Sequence, residues 1–415
     1  MSHGSAAPCA LRRALLLLVC AGVASGCGKK APPPYPTWYE PPKEYAAQAK
    51  SANAYDGYVL AAQQAESAGK EDINRVSFTF GQRKRLAARL QGATKTLMAA
   101  ASKPCTIPDR SFRPDQAPTY QRGWRLLGRS LAWKVEDALN EQKPDEAIRI
   151  AAIGTKFGFD LTAGNVGDAA LGYQIVDECR AALAPALPTL SPVDLTRLIE
   201  AFQKVLTDKP PIASMLENER RQMLAAVQFV QDSYRKDDYS ELKQQLGPDA
   251  REPIRYLEEM KDKDGPKRVE YFQNFADEID PEIALLRKRA SQPAEARGPI
   301  PLPASDGRPW KRLSRHFFRS ARPVIDLSDR ALARVRLLIL NAIVLRSIRE
   351  SGKAVLSFAA LPKSLTTDPY SGRPFRFSAV GAEYKLYSIG SDLRDDGGET
   401  DELGLGPDLV LGGFE

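Results

Sequence analysis

Residues Trp124 to Leu139 read WRLLGRSLAWKVEDAL, and Trp124, Leu127, Leu131, Val135 and Ala138 recur three or four positions apart. That period gathers them on one helical face and predicts an amphipathic helix. Working outward, Pro144 stands where a first-turn proline is tolerated, and Ala147, Ile148, Ala151, Ala152 and Thr155 continue a second helix. Ser191-Pro192-Val193-Asp194 is a capping serine followed by a first-turn proline, and it opens a third helix whose buried side is Leu195, Leu198, Ile199, Phe202 and Leu206. Ile212 to Tyr234 reads as a fourth, carrying Met215, Met223, Ala226, Phe229 and Val230. Strand-type alternation is nearly absent, so 45–291 is predicted to be an all-α domain of antiparallel helical hairpins.

The chain has 415 residues, 43% hydrophobic and 27% charged, which predicts two or three soluble domains and excludes wholesale disorder and a polytopic membrane protein. Its net charge of +7 is too small to imply nucleic acid, and no nucleic-acid partner is expected. There are two histidines, His3 and His316, and the loss of His3 with a leader would leave one. Serine triads, cysteine–histidine dyads and histidine-built metal sites are therefore set aside. No P-loop, G-x-G-x-x-G, G-x-S-x-G or paired C-x-x-C occurs. Glu217 and Glu219 are two residues apart, about 200° around a helix, so their carboxylates point apart. Asp237-Asp238 and Glu258-Glu259 sit among lysines and read as solvated faces. The expectation is a non-enzymatic protein. The alternative is a periplasmic hydrolase working with carboxylates, and its mark would be two carboxylates converging in a cleft of the helical domain.

The first residues carry Arg12 and Arg13, then the apolar run Ala14 to Ala24 (ALLLLVCAGVA), then Ser25-Gly26-Cys27. The run is too short to span a bilayer and reads as a signal peptide over 1–26. Val23-Ala24-Ser25-Gly26 ahead of Cys27 resembles a bacterial lipoprotein lipobox. The resemblance implies cleavage before Cys27, acyl chains on that residue, and a lipid-anchored protein of the bacterial cell envelope facing the periplasm or the surface. Gly28, where an aspartate is absent, implies passage to the outer membrane. Cys9 and Cys20 leave with the leader, so Cys105 and Cys179 remain. They can pair as a disulfide, worth about 4 kcal/mol for a loop of this length, or stand as small buried hydrophobes.

Residues 27–44 comprise the lipidated cysteine and a proline-rich stretch that predicts an extended tether. A second boundary is expected at 292–326, where a proline-rich run leads into Arg308 to Arg322, RPWKRLSRHFFRSAR. Six basic residues with Trp310, Phe317 and Phe318 between them fit either an anionic lipid surface or a linker whose aromatics dock on the helical domain. From 327 to 415 a smaller α+β domain is predicted. Ser328 caps a helix to about Arg349, with Leu332, Val335, Leu338, Ile339, Ala342 and Leu345 on one side. A turn at Asp368-Pro369-Tyr370-Ser371-Gly372-Arg373-Pro374 follows, then alternating Phe375 and Phe377, then Tyr384 to Gly390. The expected fold is mainly α with this helix packed on a short antiparallel sheet.

Two further stretches carry resemblances. Trp124, Leu127, Gly128 and Leu131 followed by Glu146-Ala147 resemble one tetratricopeptide hairpin, although no second copy occurs at a fixed period. The helix, then Asp368-Pro369-x-x-Gly372-x-Pro374-Phe375-x-Phe377, then Tyr387-Ser388-Ile389-Gly390-Ser391-Asp392 and Gly397-Gly398 resemble the periplasmic domain of the type II secretion pseudopilin G. That likeness implies a helix on a small sheet and a calcium-holding acidic loop. The chain departs from it in having a lipoprotein leader and a long helical region ahead, so filament formation is not expected. From Gly390 to Glu415 eight acids face Arg394 alone. The stretch reads either as a solvated tail, which acidic glycine-rich termini usually are, or as a site for calcium, a hard cation, through Asp392, Asp395, Asp396 and Asp401; no other cofactor is expected. An envelope interaction or assembly module serving secretion or a pilus, with protein partners unspecified, is the functional expectation.

Overall fold

The computed structural model describes residues 35–40, 45–109, 120–262, 265–298, 308, 310, 311, 313, 314, 317, 323–399 and 408–411. Cys27, Asp401 and the leader lie outside the described residues.

The predominance of helix predicted from the apolar period is what forms. The first helices are α1 (Ala54–Ala68), α2 (Phe80–Arg89) and α3 (Gln91–Ala100). They lead into α4 (Tyr120–Asn140), α5 (Pro144–Leu161), α6 (Val166–Leu183), α7 (Pro192–Asp208) and α8 (Ile212–Lys236). Several starts have a local cause. Asn53 accepts from the Tyr55 N–H, Asn165 from the Asp168 N–H, and Ser191 from the Asp194 N–H, while Pro144 and Pro192 occupy first turns. These side chains satisfy helix N–H groups that have no acceptor within the helix. Asp237, at φ 57°, closes α8 in the left-handed region.

The apolar stripes are buried as the sequence predicts. Trp124, Leu127, Leu131, Val135 and Ala138 of α4 are all inside, and the Trp124 indole donates to the Tyr58 carbonyl at 2.9 Å. α4 packs on α1, α5 and α6, and α5 packs most extensively on α6. The α5–α6 contact depends on two glycines. A Cβ on Gly172 would stand 2.3 Å from the Gly158 carbonyl oxygen, and one on Gly158 would stand 2.5 Å from that of Gly172. Bare backbone lets the two helices touch where any side chain would force them apart. Gly128 of the tetratricopeptide-like motif receives Ile175 of α6 in the same way.

A second group, α9 (Ser240–Leu246), α10 (Arg251–Glu259), α11 (Gly265–Asp277) and α12 (Ile279–Ala290), joins α8 through α11 and α12. Here the predicted tether differs from the structure. Tyr35 sets its ring edge-on to Phe272 and Tyr234, Tyr39 is buried, and Trp38 bonds to α8 through both its main chain and its indole. Residues 35–40 are docked rather than extended in solvent, because their aromatic rings find apolar partners on α8 and α11. Of the basic segment, Trp310 packs edge-on to Tyr271, Phe317 stacks with Phe275, and Leu313 is fully buried. Those aromatics dock on the helical body, and the arginines at 312, 315, 319 and 322 lie outside the described residues.

The expected break at 292–326 does not separate two cores. α13 (Ala294–Arg297) bonds to the following turn, with Ala294 N–H donating to Pro369 O and Glu295 N–H to Tyr370 O. Arg297 pairs with Asp329. α14 runs Val324–Ser351, four residues earlier than the predicted Ser328 cap, and Ser328 is buried within it. Residues 337–344 of α14 are buried all round, because α6 and α7 cover one side and the C-terminal hairpin meets another. A helix apolar on every face needs cover on every face, so the array and the C-terminal part close over it together. Past the short α15 (Lys363–Thr366), β1 (Arg376–Val380) and β2 (Glu383–Tyr387) pair antiparallel, Arg376 opposite Tyr387 and Val380 opposite Glu383. Gly381 turns the hairpin at φ 64°. The Tyr384 hydroxyl donates to Asn341 of α14 at 2.8 Å, so the one polar side chain in that buried run has a partner. No described helix is long and apolar enough to cross a membrane.

Candidate functional site

Asp368 organises the C-terminal end. It is buried, and its Oδ1 accepts from the Tyr370 N–H at 3.0 Å and the Ser388 hydroxyl at 2.8 Å. Its Oδ2 accepts from the Ile389 N–H at 3.3 Å and the Ser371 hydroxyl at 3.4 Å. One carboxylate thus ties the turn that begins at Asp368 to the end of β2. Burial raises its pKa, and these four donors oppose the rise. The sequence reading quoted Asp368 and Ser388 without assigning them this work.

Beyond β2 the acidic loop folds back on the hairpin. Gly397 and Gly398 have φ of 74° and 78°, and a Cβ on Gly398 would stand 2.9 Å from the Tyr387 ring. The Gly398 N–H donates to Asp408 Oδ2 at 2.6 Å, and Ser388 pairs with Leu409 in a β-bridge. Asp408 is buried, and among the described residues its Oδ1 has no hydrogen-bond partner of normal geometry. Burial raises its pKa, the main-chain N–H groups of Gly398 and Asp396 oppose the rise, and the charges of Asp395 and Asp396 add to it. An unpartnered carboxylate oxygen beside like charges is an unfavourable arrangement that a proton or a hard cation relieves.

The expected ligands fare differently. Asp395 accepts from the Tyr387 hydroxyl at 2.9 Å and pairs with Arg376 at 2.8 Å, and these contacts hold its pKa below the usual carboxylate range. Asp392 accepts from the Arg394 N–H at 3.2 Å, a local turn. Asp396 lies on the loop facing Asp408 electrostatically. Among the described residues no group of three or more acidic, histidine or cysteine side chains is placed to hold a metal. The fit to a cation therefore rests on Asp408, which sequence reasoning counted among the acids but did not single out. Its signal was position: Asp408 stands directly before Leu409-Val410-Leu411, an apolar run able to bury it.

Cys105 and Cys179 are both free, which corrects the disulfide reading. Cys179 is buried on α6 against Gly154 of α5 and the Gly128 carbonyl of α4. Cys105 lies electrostatically close to Asp160 and Lys156 at another place in the array. Burial pushes both thiols well above their ordinary pKa, so neither is nucleophilic.

Glu217 and Glu219 point apart as predicted. Glu217 pairs with Arg221 at the surface, whereas Glu219 is buried and accepts from the Val166 N–H at 2.9 Å. Burial, only partly opposed by that bond, pushes Glu219 up to about 7, and Asp168 adds to the rise. Asp168 accepts from Gln121 at 2.6 Å. Both carboxylates serve the N-terminus of α6, where the helix dipole favours negative charge. Asp160 takes the Tyr58 hydroxyl at 2.7 Å and the Lys156 ammonium at 2.5 Å. A cavity of about 450 Å³ between α6 and α14 is lined in part by Asp177 and Glu178, but Asp177 is held by Arg180 and Arg334. No protein-family model, curated protein or solved structure matches the chain.

Proposed function

We propose that the chain is a lipid-anchored protein of the bacterial cell envelope, a non-enzymatic interaction and assembly module associated with secretion or a pilus. Cys27 carries the lipid in this reading, and the helical body with its pseudopilin-like end presents surfaces to other envelope proteins. The observation that carries it is the C-terminal arrangement of α14, the Asp368 lock, the β1–β2 hairpin and a loop folded onto Asp408. That is the helix, sheet and acidic loop which the pseudopilin resemblance implies. Calcium held by the acidic loop and Asp408 would supply positive charge that fastens the loop. The buried carboxylates of the helical body are engaged by helix N-termini, lysine, tyrosine or arginine, which favours a packing role over a hydrolytic one.

Metabolic labelling with a fatty acid tests the anchor. Label is expected in the wild-type protein and none in Cys27→Ser, which also leaves the membrane fraction or retains its leader. An unlabelled wild-type protein overturns the reading. Crosslinking of the lipidated protein in cells, with and without calcium, then tests for envelope partners.

A further inference from the structure

The segment between α1 and α4 carries a surface that neither the helical packing nor the proposed anchor explains. α2, FGQRKRLAAR, buries only Leu86, and it holds Arg83, Lys84, Arg85 and Arg89 with no acid. A helix with so little buried surface is marginal unless its end is fixed. It is fixed by a capping box, in which Thr79 Oγ1 accepts from the Gln82 N–H and the Gln82 side chain accepts from the Thr79 N–H at 2.9 Å. The fold therefore holds a strongly basic helix in order on the surface.

Two large apolar side chains stand out from the same end: Val76 is 87% exposed and Phe80 is 68% exposed. Around them cations stack on rings. The Lys84 ammonium lies 4.7 Å from the Phe80 centroid, Arg75 and Arg129 each lie 5.8 Å from Phe78, and Arg83 lies 5.7 Å from Trp133. Phe78 in turn meets Trp133 edge-on at 5.3 Å. Glu71, Asp72 and Glu136 are taken up by Arg89, Arg75 and Arg83. Lys84 and Arg85 are exposed and have no carboxylate partner among the described residues.

Isolated apolar side chains set among upright cations suit a fluid layer of apolar tails and phosphates better than a shaped protein surface, which favours a contiguous apolar centre. We propose that Val76 to Arg89 is an interfacial membrane contact, in which Val76 and Phe80 enter the headgroup layer of an anionic bilayer while Lys84 and Arg85 meet lipid phosphates. This contact does not depend on Cys27. An acyl anchor holds the protein to any bilayer, whereas this surface distinguishes anionic from zwitterionic lipid.

Hydrogen exchange on the full processed chain, bound to phosphatidylcholine vesicles with and without phosphatidylglycerol, tests it. Residues 74–90 are expected to gain protection only when phosphatidylglycerol is present, and added salt should remove the gain. Lys84→Glu with Arg85→Glu should weaken the anionic-vesicle effect about tenfold or more, and Phe80→Ser should reduce it while leaving the charge intact. All three positions are exposed, and circular dichroism verifies that the variants fold. Protection that ignores phosphatidylglycerol, survives the double charge reversal or persists in high salt overturns the proposal. Equal protection by a soluble acidic polypeptide also overturns it and assigns the surface to an acidic protein.

Discussion

The Trp38 indole N–H donates to Gln231 Oε1 at 3.0 Å, and the Gln231 amide returns a bond to the Pro36 carbonyl at 2.8 Å. A side chain from the proline-rich segment and one from the C-terminal half of α8 thus hold each other 193 residues apart in sequence. An anchor at Cys27 would then reach Tyr35 across at most about 28 Å of chain, where a free segment to Tyr45 would allow about 60 Å. The body is kept close to whatever holds its N-terminus.

Trp38→Ala combined with Gln231→Ala should undock residues 35–40. The loss of a half-buried indole and its hydrogen bonds is expected to cost about 2–3 kcal/mol in urea unfolding, with faster proteolysis between 35 and 48. Unchanged stability and cleavage would show that the segment is held by other contacts.

Glu219 makes stability pH-dependent. Its folded pKa, about 7, lies above the ordinary 4.5, so the folded chain keeps a proton that the unfolded chain releases in that interval. Stability should fall as pH rises from 4.5 through 7, by about 3 kcal/mol from this group. Glu219→Gln keeps an acceptor for the Val166 N–H and removes the titration. Denaturant unfolding should find the variant more stable than wild type at pH 8 by about 2–3 kcal/mol and nearly equal at pH 4. Equal stability at both pH values contradicts this assignment.

Asp408 should behave similarly, with calcium in place of the proton. Its raised folded pKa means that, in chelator, stability should decline as pH rises above the ordinary carboxylate range. Asp408→Asn should relieve that loss at neutral pH and abolish any calcium-induced rise in melting temperature. Calorimetry of the full chain gives the deciding result: no heat at millimolar calcium, and no shift in melting temperature with chelator, leaves the acidic loop without a metal role.

Gly172→Ala should be severe, because its new methyl meets the Gly158 carbonyl at 2.3 Å and only backbone movement relieves the clash. A loss of about 3 kcal/mol or more is expected. Gly92→Ala in α3 has open space around the new methyl and should gain about 0.5–1 kcal/mol from helix propensity. Thermal unfolding of the pair separates contact from propensity, and similar effects from both would contradict the close approach of α5 and α6.

The amino-acid sequence by itself determined the helices and many of their starts. Trp124 to Ala138 and Leu195 to Phe202 carry an apolar period, and Pro144, Ser191 and Pro192 carry helix-start chemistry; both act over a few residues and are readable without a partner. Gly381 and the alternation after Asp368 marked the hairpin for the same reason. Only the tertiary structure decided what lay between distant residues. Residues 337–344 of α14 are buried on every face, so the one-sided stripe read from the sequence did not show that α6, α7 and the hairpin would share the helix. Cys105 and Cys179 had no distance until the array placed them in different surroundings. The proline-rich segment looked like a spacer because its prolines forbid helix, yet Tyr35 and Trp38 found rings and amides on α8 and α11. Acidic composition pointed to the loop, but composition does not say which carboxylate loses its water, and folding left the unpartnered oxygen on Asp408.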